Sequence, residues 1–294
     1  MNAENGLIQL VGNDLKLKQI RIDDLLINYV EIGFGPQLLL LHGANMGWGQ
    51  WYPNLKKLSE HFNIFALDLP GAGNSSWVHP HDLEPERHWV DIVEKFIKLK
   101  FKKGDSINIL AHSIGGWIAL KLALRERFCI NKLVLVSPLG FSEYTPRKYR
   151  LIGLYIFAQL LSMTVMRLTR KNIKRFVSNV FHDVSSLKEE FIDYYYESLK
   201  KNKFSHPFLL LNRITGFWKV RKNFVLLNEL SKIKIPTLII IGDKDPILPL
   251  HSMHLKAFRL IPGARLEIFL NCGHVPSTEK SSKFNELVIN FLKF

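Results

Sequence analysis

INILAHSIGGWIALKLAL (107–124) is the stretch on which the reading of this chain turns. It opens on a short apolar run that suits a strand buried on both faces, and from Ile114 onward its apolar residues recur at helical spacing. Between the two lies Ser113, with Ala111 two positions before it and Gly115 two positions after. A strand that turns directly into a helix brings those neighbours close together, so the turn demands small side chains there. Such a turn lifts the serine hydroxyl above the strand end. It also aims the backbone N–H of Ile114, at the positive end of the helix, at the space beside that hydroxyl. Serine here reads either as a helix N-cap or as a nucleophile, and the strand before and helix after favour the nucleophile.

On either side of this unit, apolar runs alternate with amphipathic stretches. QIRID, LLINYVEI, QLLLLHG (37–43) and NIFALDLPG (63–71) precede it and KLVLVSP (132–138) follows, while WGQWYPNLKKLSE and PERHWVDIVEKFIKLK carry helical periodicity. The alternation predicts an α/β class, a mostly parallel sheet flanked by helices. It resumes with TLIIIGD (237–243), a helix near 250–260, RLEIFLN (265–271) and a closing helix around 282–294. The residues between, 139–235, are helical and aromatic in pattern, and their aromatics Tyr149, Tyr155, Phe157, Phe208, Phe217 and Trp218 are expected to build an apolar substrate pocket. The segment is expected to form a helical cap, or lid, inserted between two strands of one core made of 1–138 and 236–294.

The cap holds most of the basic character. It has 18 Lys and Arg against 7 Asp and Glu, a net of 11 out of the chain's +14. Within it, LIGLYIFAQLLSMTVM (151–166) has no charge and is followed by RLTRKNIKR. The apolar segment is short for a spanning helix. It reads either as a lid helix facing the site or as an interfacial element that touches an anionic membrane.

Two further strand ends carry candidate chemistry. GDKDPILP (242–249) offers Asp243 and Asp245, either of which could accept a hydrogen bond from an imidazole and fix its tautomer. NCGHVP (271–276) offers His274 as general base on a loop freed by Gly273 and stiffened by Pro276. The loop after LLLLHG supplies a second oxyanion donor in the N–H of Ala44, beside that of Ile114. His42, Gly43 and Asn45, together with His112 next to the serine, are expected to contact substrate.

The chain order serine, acid, histidine is the order of the α/β-hydrolase triad. LLLLHG, DLPGAGNSS (68–76), AHSIGG, LVLVSP, TLIIIGDKDPILP and CGHVP together resemble the α/β-hydrolase superfamily over nearly all of the two core segments. The family pattern G-x-x-D-x-x-x-P falls on Gly242, Asp245 and Pro249, so the resemblance implies Asp245 rather than Asp243 as the acid. It assigns Asp68, Gly71, Gly73 and Ser75 to a structural turn. Alanine at 111, where the usual motif has glycine, is a departure. The activity implied is a serine hydrolase cleaving an ester of an apolar acyl group, in the manner of a carboxylesterase or monoacylglycerol lipase. A hydrolase of carbon–carbon bonds in ring-cleavage products and a non-catalytic ligand receptor share the architecture and remain alternatives.

Composition bounds the remaining classes. Apolar residues make up 47% and charged residues 22%, which argues for an ordinary globular core and against disorder. Cys129 and Cys272 lack paired or metal-ligand spacing, and His251 and His254 lack a third ligand, so no metal and no cofactor are expected. No nucleic-acid-binding module accompanies the positive charge. The N-terminus lacks a secretory pattern, which implies a cytoplasmic protein, peripheral to membrane if the basic surface is used.

Overall fold

The computed structural model describes residues 3–78, 82–145, 147–164, 167–201, 207–250 and 256–294. Its strands are β1 (Lys16–Ile22), β2 (Leu25–Ile32), β3 (Gln37–Leu41), β4 (Asn63–Leu67), β5 (Ser106–His112), β6 (Cys129–Val136), β7 (Thr237–Gly242) and β8 (Arg265–Phe269). Its helices include α1 (Ala3–Val11), α2 (Tyr52–Ser59), α3 (Ile92–Lys100), α4 (Ile114–Arg125) and α5 (Tyr155–Met163). They continue with α6 (Arg170–Ser178), α7 (Glu189–Lys201), α8 (Pro207–Ile214), α9 (Pro276–Glu279) and α10 (Ser281–Lys293).

One eight-stranded sheet runs in the order β1-β2-β4-β3-β5-β6-β7-β8. β1 pairs antiparallel with β2 and β2 antiparallel with β4, while every pairing from β4 to β8 is parallel. The mostly parallel α/β sheet expected from the alternation is the observed one. Continuous apolar runs make it possible because both faces are covered. Leu39, Leu41, Ile109, Leu133, Leu135 and Ile239 pack with α3 and α4. Their immediate neighbours Leu38, Leu40, Leu110, Val134, Val136 and Leu238 pack with α2 and α10 on the other face. The two-residue strand period therefore divides each run between two cores. Each fully buried leucine or isoleucine adds roughly 2 kcal/mol over exposure.

The strand order decides where function can sit. From β3 the chain steps outward to β4 on one side and then returns to β5 on the other. A reversal of this kind opens a crevice beyond the C-terminal ends of the strands. The loops after β3, β5, β7 and β8 all emerge at that edge.

Between β6 and β7 the described helices are α5 to α8, joined by short antiparallel bridges at Tyr144–Lys219 and Thr215–Val220. They divide by packing. Ile173 and Val177 of α6 and Phe191, Tyr194 and Tyr195 of α7 belong to the same core as α2 and α10. α5 and α8 instead form a small cluster of their own around Ile152, Ala158 and Leu209. The helix α1 was not anticipated, because its amphipathic pattern is short and interrupted by Gly6. It is held by tertiary contacts: Leu7 and Val11 are buried with α2 and α7, and Glu4 accepts from the Trp48 indole N–H at 2.9 Å. Of the helix expected near 250–260, residues 256–258 are helical, and His251 and His254 fall outside the described residues, as do His79 and His81. Among the described residues no helix is long and apolar enough to cross a membrane.

Candidate active site

Ser113 closes β5 and opens α4 with φ 52° and ψ −112°, a left-handed conformation rare for a residue with a side chain. Local hydrogen bonds hold this turn: the Ser113 N–H donates to Val136 O at 2.9 Å, and its carbonyl accepts from Leu139 N–H at 3.0 Å. Its side chain makes no capping hydrogen bond to the helix. The turn also needs the small neighbours that the sequence supplies, since a Cβ on Gly115 would collide with the carbonyls of Leu41 and His42. Ile114, as the first residue of α4, keeps a backbone N–H with no intrahelical partner.

The β3 loop lies directly against this turn. A Cβ on Gly43 would stand 2.5 Å from His112 Nδ1 and 3.4 Å from Ser113 Cβ, so only glycine lets the loop pass. Gly43 N–H donates to Gln50 Oε1 at 2.9 Å, which fixes the loop at this distance. Ala44, His112, Ser113, Ile114 and His274 line one cavity. Gly43 and the buried Asn45 do not line it, and neither does His42.

His42 is placed as a latch rather than a substrate contact. Its Nε2 accepts the Leu69 N–H at 2.9 Å, so Nδ1 carries the proton and faces its neighbour Gly43 O. Burial lowers its pKa to about 4, against the raising effect of that carbonyl. The ring is therefore neutral at pH 7, pinning the loop after β3 to the turn after β4. Asp68 anchors the same turn. It accepts from Asn28 Nδ2 at 2.7 Å, Trp48 N–H at 2.6 Å and Asn74 N–H at 2.8 Å.

Asp245 and His274 meet across the ends of β7 and β8. His274 Nδ1 donates to Asp245 Oδ2 at 2.7 Å, and both residues are buried. Asp245 Oδ1 accepts the N–H groups of Ile247 and Leu248, both at 2.8 Å, so the carboxylate is held at both oxygens. Asp243 is used differently: its Oδ1 accepts the Cys272 N–H at 3.2 Å, bracing one loop to the other. His112 supports the imidazole from behind. Its Nε2–H donates to the His274 carbonyl at 2.8 Å, and the two rings stand 4.7 Å apart. Burial, and then His274 itself, push the His112 pKa well below the ordinary histidine value, so His112 stays uncharged.

Glu279 and Gln50 were missed in the sequence. Glu279 lies five residues past His274, in a four-residue helix opened by Pro276, and nothing in its pattern separates it from a surface acid. It is buried, and its two oxygens accept from the N–H groups of Gly273, His182 and Asp183 at 2.9 to 3.0 Å. Burial raises its pKa, opposed by those donors. Gly273 permits the approach, because a Cβ there would lie 2.6 Å from His182 N. The inserted segment is thus tied to the histidine loop, an attachment reinforced by His274 N–H donating to Val180 O at 2.9 Å. Glu279→Gln sets an amide NH2 against backbone N–H donors. It is expected to cost about 2 kcal/mol of stability, read as a lower denaturant midpoint, together with a fall in kcat. An unchanged midpoint would remove Glu279 from this role.

The rest of the cavity is mostly apolar, with Met46, Leu139, Phe176, Leu211, Ile214 and Val220 among its walls beside the hydroxyl-bearing Thr215, Tyr144, Tyr149 and Tyr195. Of the inserted aromatics expected to build it (Tyr149, Tyr155, Phe157, Phe208, Phe217 and Trp218), only Tyr149 lines it. Tyr155, Phe157 and Trp218 face outward, and Phe208 packs edge-on against Phe176. Both cysteines are free thiols; Cys129 is exposed, while Cys272 is buried beside the site and burial pushes its thiol pKa up.

The family pattern of the alpha/beta hydrolase fold matches residues 36–281. The chain belongs to that family. It is 26% identical over 299 residues to the 2-hydroxy-6-oxo-6-phenylhexa-2,4-dienoate hydrolase of Comamonas testosteroni, covering 96% of this chain and 97% of that protein. Among solved structures it is similar to a membrane phospholipase A described as a bacterial virulence factor. That match has a TM-score of 0.77 and 25% identity, over 99% of this chain and 89% of the other. A carboxylesterase from Bacillus subtilis shares the fold with a TM-score of 0.74 at 20% identity, over 99% of this chain and 95% of the other. With the family match and these hydrolase relatives, the chain is classed as a hydrolytic enzyme.

Proposed function

We propose that the enzyme cleaves an uncharged apolar carbonyl compound, a carboxylic ester in the first reading, through an acyl group carried on Ser113. The observation that carries the proposal is a single cavity lined by a strained serine and by a histidine whose far nitrogen is held by a buried carboxylate. In the first step Ser113 Oγ attacks the carbonyl carbon and His274 Nε2 takes the hydroxyl proton. Asp245 stabilises the imidazolium, and the N–H groups of Ile114 and Ala44 receive the oxyanion. His274 returns the proton to the leaving group, then activates a water that releases the acid and restores the serine. These residues need no metal or cofactor for the sequence of proton transfers.

Two observations bear on the bond that breaks. Among the described residues no lysine or arginine lines the cavity. A carboxylate moved there from water without a cation would cost several kcal/mol, which supports a neutral ester. The Comamonas relative supports the second reading. Its named substrate is a keto-dienoate without an ester group, so its hydrolysis breaks a carbon–carbon bond, and such relatives back this reading more strongly than they back an ester. A panel of p-nitrophenyl esters graded by acyl length, run beside 2-hydroxy-6-oxo-6-phenylhexa-2,4-dienoate, separates the two. The ester reading expects kcat/KM at least about tenfold higher on the best ester, about 1.4 kcal/mol of discrimination. The reverse order would assign the carbon–carbon reaction.

A further inference from the structure

On the outside of the inserted segment, apolar side chains stand in water where a soluble surface would carry charge. Ile156, Leu160 and Met163 of α5 are spaced on one helix face and are 77%, 55% and 74% exposed. The opposite face holds the buried Ala158, packed with α8. Leu151 and Leu154 extend the stripe at the start of α5, and Trp218, 63% exposed, adjoins it. A Cβ on Gly153 would collide with Gly216, which places the Trp218 turn against the start of α5. Scattered exposed leucines are ordinary, but a contiguous apolar patch of this kind marks a contact surface.

Charge identifies what it contacts. From Tyr144 to His182 the chain has eight Lys and Arg and no Asp or Glu. Arg147 and Arg167 are exposed at either end of the apolar run, and the Arg150 guanidinium lies 4.5 Å over the Trp218 ring. An apolar face with cations and a tryptophan around it matches the boundary of an anionic bilayer, where apolar groups enter the acyl region and cations meet phosphates. A second copy of this chain fits less well, because a two-fold contact would set these arginines against one another.

We propose that the α5 face, with Trp218 and the flanking arginines Arg147 and Arg167, docks the enzyme on the surface of an anionic lipid bilayer. The docking does not depend on which bond the active site breaks. It does bring lipid next to the cavity, since Leu211 and Ile214 of α8 line the cavity from the helix against which α5 packs.

The test is flotation of the purified protein with vesicles of phosphatidylcholine alone or with about one-third phosphatidylglycerol, at about 50 mM and about 500 mM salt. At least about tenfold more protein should float with the anionic vesicles at low salt than at high salt or without phosphatidylglycerol. The Ile156→Asp/Leu160→Asp and Arg147→Glu/Arg167→Glu variants should each lose about tenfold in binding. The milder Ile156→Ser/Leu160→Ser protein guards against misfolding, and its thermal melt should match wild type. None of these positions lines the cavity, so hydrolysis of a soluble ester should not change. The Ser113→Ala protein should float like wild type, so vesicle binding is read independently of activity. Absence of binding to either vesicle, equal binding by wild type and variants, or salt-insensitive binding would overturn the proposal. So would light scattering that shows a dimer abolished by the aspartate pair without vesicle binding.

Discussion

Ser113→Ala is expected to lower kcat by about 10⁵ to 10⁶-fold and to abolish covalent labelling by a fluorophosphonate, with the folded structure retained. The size follows from the chemistry, because removing the nucleophile alone disables the rest of the assembly. Only substrate binding and the oxyanion donors would remain, worth about 10³ to 10⁴ over water. Retained folding follows from the turn. The Ser113 side chain caps nothing, and the bonds that shape the turn come from its backbone N–H and carbonyl. The left-handed backbone costs about 1 to 3 kcal/mol for any residue with a Cβ, so alanine is strained as serine is. Ser113→Gly relieves that strain, and its melting temperature should equal or exceed that of wild type while turnover is lost. Stability preserved without activity is what a position kept for chemistry predicts. Turnover and labelling surviving in Ser113→Ala would dismiss the serine mechanism.

Asp245→Asn is expected to lower kcat by about 10⁴-fold with little change in thermal stability. Asparagine preserves the Oδ1 that accepts the Ile247 and Leu248 N–H groups, so the loop should keep its shape. The change falls on the other atom. Where Oδ2 now accepts the proton of His274 Nδ1, an amide NH2 would donate, forcing Nδ1 to accept and moving the proton to Nε2. A histidine protonated at Nε2 cannot take the Ser113 proton. Asp243→Asn serves as the contrast, since its carboxylate braces Cys272 N–H rather than the imidazole. It should lose less than about tenfold in kcat. Equal losses in the two variants would refute the assignment of Asp245.

The carbon–carbon and ester readings share the attack of Ser113 on a carbonyl carbon with His274 taking the hydroxyl proton. The two substitutions therefore test the shared acyl transfer, and the substrate panel tests which group leaves.

The strand–turn–helix unit at 107–124 was legible because its signals are local. Apolar runs, helical spacing and the small residues around Ser113 are properties of neighbours in the chain, and the same holds for TLIIIGD and CGHVP. The parallel sheet was legible for a related reason, since strands buried on both faces cannot afford polar alternation. Less was legible wherever a role depends on what arrives from elsewhere. His42 looked like a substrate contact in its loop, and only the N–H of Leu69 from the next strand end makes it a latch. Glu279 gave no signal, because a carboxylate that collects N–H groups from distant segments has no pattern of its own, and Gln50 gave none because an amide that holds the Gly43 N–H within its own loop looks like any polar loop residue.

The aromatic segment shows the same limit in the opposite direction. Composition pointed the six rings at a pocket, yet Tyr155, Phe157 and Trp218 face outward, and Tyr149 lines the cavity beside Tyr144, Phe176 and Tyr195. By itself, the sequence determined the alternation of core strands with the helices that cover them and the chain order of Ser113, Asp245 and His274, because backbone propensity and hydrophobic period act over a few residues. The tertiary structure alone decided which side chains share a cavity, which are spent bracing loops and which face solvent. Those outcomes depend on contacts between segments as far as 231 residues apart, where the partner of each hydrogen bond is chosen by the fold.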